Sequence, residues 1–322
     1  MQNPNVFSTS ADFPMPVVNQ WNFALERQLP GNSVLTVGYV GNNASHLMSD
    51  NNFNAPVPGP DATNARRRFP QYGELIYQSP YAHSTYEALQ TTFQKRYTRD
   101  LSILANYTWS HSIDNVHNNE DNIGGQVPQN PFNTSAEKGN SGFDIPHRFV
   151  ANVVYNLPIG RPGTAFSAHA WQRQLFGGWQ LGGIFTAQKG APVTPSASPN
   201  PASSTTPERP NRVCDGALPG DQQSIDRWFN VSCYQIPGAF LYGNSGRGVI
   251  RSPGIVNLDA LIDRIFTVTE RVRLEFRSEL FNITNTAHFG DPNVTIGVAQ
   301  AGRISTTSSP NRQVEFALRL LF

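Results

Sequence analysis

The chain has 322 residues, a formal net charge of +1 and 15% charged residues, well below the roughly 25% of soluble globular domains. That balance excludes a basic nucleic-acid binder, which needs clustered Lys and Arg, and an acidic solvating tail. Gly (26) and Pro (25) are spread through the whole chain beside frequent Asn and Ser and 11% aromatics, a mixture that disfavours helices and suits many strands joined by irregular loops.

No apolar run approaches the ~18 residues of a membrane-spanning helix. A barrel strand, however, needs only every second residue to be apolar. Met1 to Pro14 carries neither a basic nor an apolar leader region, so no signal peptide is expected.

In chain order, alternation of period two marks the strands. It is weak over Asn19–Leu29, Val34–Leu47 and Ser84–Tyr97. It is strong where Leu101, Ile103, Ala105, Tyr107 and Trp109 alternate with Ser102, Leu104, Asn106, Thr108 and Ser110. It recurs through Phe149–Leu157, Trp179–Gln188, Val272–Leu280 and Arg312–Phe322, and over Gly254–Thr267, where Arg264 breaks the apolar face and leaves the register uncertain. In the last segment Val314, Phe316, Leu318, Leu320 and Phe322 share one face and Gln313, Glu315, Ala317 and Arg319 the other. Nine long strands result. A soluble half-buried strand alternates in the same way, but length favours a membrane: a tilted spanning strand needs about 9–11 residues.

The connections alternate too. Leu29–Val34, Tyr97–Leu101 and Thr267–Arg271 are tight, and Leu157–Phe176 is moderate. Met48–His83, Ser112–His147, Lys189–Pro253 and Asn285–Asn311 are long, polar and rich in Gly, Pro and Asn. Short turns at one end and long loops at the other are the habit of outer-membrane barrels. The predicted fold is therefore all-β, an antiparallel transmembrane β-barrel with long extracellular loops. Residues 1–322 form part of it. An odd strand count, with the first strand starting outside, predicts that the front of the barrel is not in this chain.

Parity sets Asp259, Asp263, Arg273, Glu275, Arg277 and Glu279 on the inward face. They either steer a solute through a charged lumen or pair across strands on a wet wall. Asp259 and Asp263 stand roughly 13 Å apart at ~3.3 Å per residue, too far for the ~5–9.5 Å of a glycosidase pair. Gly243–Gly248 has neither the dinucleotide spacing nor the Lys-Ser/Thr of a phosphate loop and reads as a turn. His111–Asn122 (HSIDNVHNNEDN) holds carboxylates and amides able to bind Ca²⁺, without EF-hand spacing, and reads as a solvated loop. No catalytic motif occurs, so neither an enzyme nor a cofactor is expected. Cys214 and Cys233 lie in one Pro/Gly-rich region. Either they are paired, restricting that loop by roughly 3 kcal/mol in the chain-entropy model and implying an oxidising compartment, or they are free thiols.

Several stretches together resemble the Oar-like TonB-dependent receptors: WNFALERQLPGNSVLTVGYVGNNASHL (Trp21–Leu47), FDIPHRFV (Phe143–Val150), FGGWQLGGIFTAQKGAPVT (Phe176–Thr194), RWFNVSCY (Arg227–Tyr234), YGNSGRG (Tyr242–Gly248), VRLEFRSELFNITNTAHFG (Val272–Gly290) and RQVEFALRLLF. Their order and spacing carry the resemblance over nearly the whole chain. It implies a barrel of about 22 strands, a plug and an N-terminal domain that are absent here, and import of a large solute, an oligosaccharide or a peptide. It implies outer-membrane lipid and the barrel-assembly machinery as partners, the latter reading Phe316, Leu318, Leu320 and Phe322 of the closing strand. TonB would act only through the missing plug, and the solute is unknown. A surface β-rich adhesin and a receptor fragment with no function of its own are the competing readings.

Overall fold

The computed structural model describes residues 3–98, 100–115, 127–206 and 208–322. Nine long strands form one antiparallel meander: β1 (Val17–Leu29), β2 (Ser33–Asn52), β3 (Leu75–Thr98), β4 (Leu101–Asp114), β5 (His147–Asn156), β6 (Trp179–Gln188), β7 (Ile255–Thr267), β8 (Arg273–Phe281) and β9 (Gln313–Leu321). Each pairs with its neighbours in sequence, from β1 at one edge to β9 at the other. Their number and order are those expected from the alternation. Two short strands join the sheet: Val6–Thr9 lies parallel to β3 and Gly139–Asn140 antiparallel to β4. Among the described residues the sheet is open, consistent with part of a barrel.

Residues directly opposite in an antiparallel ladder share a face, so the register fixes both faces. One carries Trp21, Phe23 and Leu25 of β1, Val37 and Tyr39 of β2, Leu89 and Phe93 of β3, and Tyr107 and Trp109 of β4. It continues through Phe149, Phe185, Leu258, Phe276 and Phe316. The opposite face carries Glu26, Thr92, Asn106, Asn152, Gln180, Asp263, Arg277 and Arg319 among others. The apolar face is not covered by a second layer, and Phe316 is 72% exposed. A soluble sheet would bury such a face.

Aromatic contacts gather at two heights. Trp179 meets Phe266 and Phe276 edge-on near the short turns. Tyr107 and Trp109 stack on His147 near the loops. On β6, Trp179 and Ala187 mark these levels, roughly 26 Å apart along the strand at ~3.3 Å per residue and about 20 Å in height at the ~40° tilt of barrel strands. That spacing is of the order of the apolar band, about 25 Å tall, that two girdles flank.

Four expectations are corrected. β2 runs on to Asn52 and β3 begins at Leu75, so 53–74 is all that remains of the expected 48–83 loop. The extension was hidden because Ser49, Asp50, Asn51 and Asn52 are buried polar residues, giving no apolar contrast. The pairing also slips on both sides of Leu47, a bulge that resets the alternation. Second, the 157–176 link contains a helix, α1 (Ala170–Phe176). At one turn or two, it is too short for a periodicity to emerge. Third, Arg264 does not disturb the register: it pairs with Trp179 and Phe276 in unbroken ladders. Fourth, among the described residues the long loops are not separate: they carry short strand pairs and fold against one another.

The tight turn before β2 depends on Gly31 (φ +76°) and Asn32 (φ 56°), residues that accept the left-handed region. At Gly41 the need is space. The indole of Trp21 on β1 lies across it, and a Cβ there would collide with the ring. Gly41→Val is expected to displace Trp21 and cost about 1–3 kcal/mol. A changed Trp emission and a lowered unfolding midpoint would show it, whereas unchanged values would mean that the indole does not lie across Gly41.

Candidate functional site

The structure places all six predicted inward residues on the polar face. Arg319 on β9 lies 3.9 Å from Glu275 on β8, and Arg277 pairs with Glu279 on the same strand. Asp263 stands opposite Arg277 in the ladder and Arg273 opposite Leu321. Asp259 and Asp263 are not brought together: the Asp259 carboxylate accepts from Asn257 Nδ2 (2.9 Å) and from the backbone N–H of Asn282 (2.8 Å). On the polar face, Gly182 of β6 offers no side chain opposite Leu261. The gap is a cleft of about 190 Å³ lined by Asp259, Arg277, Glu279 and Phe281. A larger one of about 370 Å³ adjoins it, lined by Asn257, Asn282, Asn311 and Gln313 and sharing Asp259 and Phe281. The two clefts present amides, two carboxylates, Arg277 and one aromatic ring among aliphatic side chains such as Val154, Ile184 and Leu261.

Above that face the four loops interlock. An apolar cluster of Phe229, Cys233, Tyr234, Ile250 and Ile296 joins residues 189–253 to 285–311. Short strand pairs reinforce it: Pro192–Val193 with Ile250–Arg251, Ser196–Ala197 with Thr295–Ile296, and Asn211–Arg212 with Tyr234–Gln235. Cys214 and Cys233 are joined by a disulfide, with Cα atoms 4.9 Å apart.

The remaining ties are charged contacts, two of them ion pairs buried on both sides. Arg209 donates to both Glu137 oxygens at 2.8 and 2.9 Å, with the side chains 5% and 0% exposed. Arg247 pairs with the Asp114 carboxylate and donates to the carbonyls of Asp114 (2.9 Å) and Glu137 (2.8 Å). Arg251 pairs with Asp144, whose carboxylate also accepts from Ser112 N–H at 2.7 Å. His111 Nδ1 lies 3.5 Å from Asp144. Arg66 donates to Ser203 O (2.6 Å), tying 53–74 to the loop after β6. Buried charges persist only when paired and hydrogen-bonded, so these pairs lock 112–147 to 189–253.

Sequence reasoning missed this network. Its signal lay in the motifs: Asp144 is in FDIPHRFV, Arg247 in YGNSGRG, and Phe229, Cys233 and Tyr234 in RWFNVSCY. Gly243–Gly248 is a turn that delivers Arg247. The Ca²⁺ reading of 111–122 rests mostly on residues from Val116 onward, outside the described residues.

Glu208 is buried beside this network. Its carboxylate accepts from Ala202 N–H at 2.9 Å, and its other oxygen has no partner. Burial holds its carboxyl above the usual glutamate range, against hydrogen bonds from Ser204 and Ala202 that pull the other way. Burial likewise pushes the Tyr242 hydroxyl up to about 12. The folded loop thus prefers neutral Glu208. Its contribution is full below the unfolded glutamate value of about 4.3 and is lost as pH rises through the raised folded value. Slower proteolysis of the 196–210 segment in mild acid is expected, with Glu208→Gln abolishing the pH dependence. A pH dependence surviving in that variant would assign it elsewhere.

Phe316, Leu318 and Leu320 line the apolar face of edge strand β9, and Phe322 is 98% exposed at its end.

An open meander that is apolar outside and polar inside, with turns at one end and folded loops at the other, defines an outer-membrane barrel wall. The chain belongs to the family described as outer membrane beta barrel domain, whose model matches residues 1–315. It is a protein of the bacterial outer membrane. No curated protein matches it. Among solved structures it is similar to the outer membrane transporter YddB from Escherichia coli, with TM-score 0.55, 10% identity, and coverage of 99% of this chain and 34% of that one. Matches with lower TM-scores include the ferric-catecholate import receptor Fiu from E. coli (0.46, 12% identity, 97% and 29% covered). The FrpB iron transporter from Neisseria meningitidis is another (0.47, 8%, 98% and 33%). The chain spans about a third of the length of these transporters.

Proposed function

We propose that the chain is the C-terminal barrel portion of a TonB-dependent importer of a large solute, of the Oar-like kind. The observation that carries this reading is the sheet face bearing the amides and charges, which opens toward loops that interlock among the described residues. Lipid meets the apolar face, and the solute meets the loops and then the amide-lined clefts around Asp259. Those clefts offer many donors and acceptors and one aromatic ring, which suits an oligosaccharide or a peptide. Energy reaches the barrel through a plug supplied by the rest of the receptor, and the assembly machinery reads β9 through Phe316, Leu318, Leu320 and Phe322.

The test is uptake of labelled oligosaccharides and peptides by cells carrying the complete gene, with and without TonB. Uptake that needs TonB and falls with Asn257→Ala plus Gln313→Ala supports the proposal. Solute retained at the surface equally without TonB would favour the adhesin reading.

A further inference from the structure

We infer that residues 157–178, at the short-turn end of β5 and β6, form a foot that seats in the phospholipid interface and is clamped to the barrel by Arg264. The inference rests on the reading of the apolar face as lipid-facing. Arg264 is the one cation on the apolar face of β7 and is 4% exposed. Its guanidinium donates to the carbonyls of Gln174 and Leu175 at the C-terminus of α1. It also sits over the rings of Trp179 (5.3 Å) and Phe266 (4.1 Å). A cation belongs at a helix C-terminus and over an aromatic face. A bare cation on a lipid-facing strand is destabilising; here the helix covers it.

The link is held elsewhere as well. Trp179 Nε1 donates to Leu175 O at 3.3 Å. Arg161 forms a bidentate pair with Asp100 in the neighbouring turn, both bonds 2.6 Å. Gly160 (φ +77°) lets its backbone pack against Gly177, where a Cβ would stand 2.8 Å from the Gly177 Cα. So fastened, the link still turns apolar groups outward. Trp171 and Leu175, four apart on one helical face, are 60% and 52% exposed. Phe166 and Phe176 lie tilted against each other with ring centroids 4.6 Å apart and are also exposed.

What covers them is named by position. They lie at the level of the Trp179–Phe266–Phe276 girdle, continuous with the sheet's apolar face. Aromatic side chains on a short amphipathic segment at that height seat at the boundary between headgroups and acyl chains.

The test attaches a spin label to Trp171→Cys and, separately, Leu175→Cys in the protein as inserted in outer-membrane vesicles. The native cysteines stay in their disulfide, so each label is single. Leu181→Cys on the apolar face of β6 and Ala239→Cys in a loop are controls. The expected result is a loss of collisions with a water-soluble nickel reagent and a gain with oxygen at 171 and 175, as at 181 and opposite to 239. Arg264→Leu, which keeps the strand apolar, is expected to free the labels' motion and restore nickel access. Water-exposed labels at 171 and 175 beside a lipid-exposed 181 would overturn the foot alone. A water-exposed 181 would overturn the membrane reading beneath it. Unchanged label motion in Arg264→Leu would remove the clamp.

Discussion

Arg209→Met is expected to loosen the loop roof by about 3–5 kcal/mol, the usual cost of breaking a buried pair from one side. The pair is bidentate and shielded from water at both ends, so removing the cation leaves the Glu137 carboxylate buried without it. The cost is local. Arg209 also anchors Gln129 through its backbone N–H (3.0 Å), and Gln129 in turn reaches Gly243 O (3.0 Å). Loops 112–147 and 189–253 should therefore open together while the sheet keeps its pairing. Hydrogen exchange reads this directly. The amides of Ala197, bonded to Glu208 O, and Ser245, bonded to Pro210 O, are expected to exchange about 10²–10³ times faster, from 1.4 kcal/mol per factor of ten. The amides of β5 and β6 are expected to be unchanged. Adding Glu137→Leu should recover much of the loss, because an apolar pair of similar volume often replaces a buried ion pair without penalty. If the single variant leaves exchange unaltered, the roof does not depend on this pair.

The roof matters because loops that must order on capturing a solute spend binding energy doing so. Loops already fixed by salt bridges and an apolar cluster present a formed surface. That is the link between the buried charges and the proposed capture of a large solute: they make the outer face of the barrel rigid.

The sheet could be read from the sequence because membrane and lumen impose opposite demands on successive side chains. Leu101–Ser110 and Gln313–Phe322 show the contrast without any tertiary knowledge. The inward positions of Asp259, Arg277 and Glu279 follow from the same parity. Where both faces meet polar surroundings the signal vanishes, and Ser49–Asn52 passed as loop although they are strand. The ion pairs were illegible for another reason. Arg209 and Glu137, or Arg247 and Asp114, are far apart in the chain, and nothing in local spacing brings them together. The resemblance stretches marked only part of the network, and three of their residues prove to be architectural: Asp144, Arg247 and Cys233 hold loops. Arg264 misled in the opposite sense. An Arg on an apolar strand reads as a register error until the helix that covers it is seen.

Removing the disulfide is the second large effect expected. Cys214 and Cys233 are 19 residues apart in sequence, and closing a loop of that size is worth roughly 3 kcal/mol in the chain-entropy model. Cys214→Ala is the informative variant. Cys214 is exposed, whereas Cys233 is packed with Phe229 and Tyr234, so altering Cys233 would add a cavity to the lost crosslink. The effect should concentrate on the enclosed segment. The amides of Val213, bonded to Cys233 O, and Asn230, bonded to Gly216 O, are expected to exchange about 10²-fold faster, from 1.4 kcal/mol per factor of ten. Trp228, whose N–H bonds to Gly302 O, should follow, since it links this segment to 285–311. Reduction of the unaltered protein should reproduce the variant, and reoxidation should reverse it. Exchange that rises equally in β5 and β6 would mean that roof and barrel form one cooperative unit. Exchange that rises only between 211 and 235 would show the roof to be built in layers, with the buried ion pairs holding after the crosslink is gone.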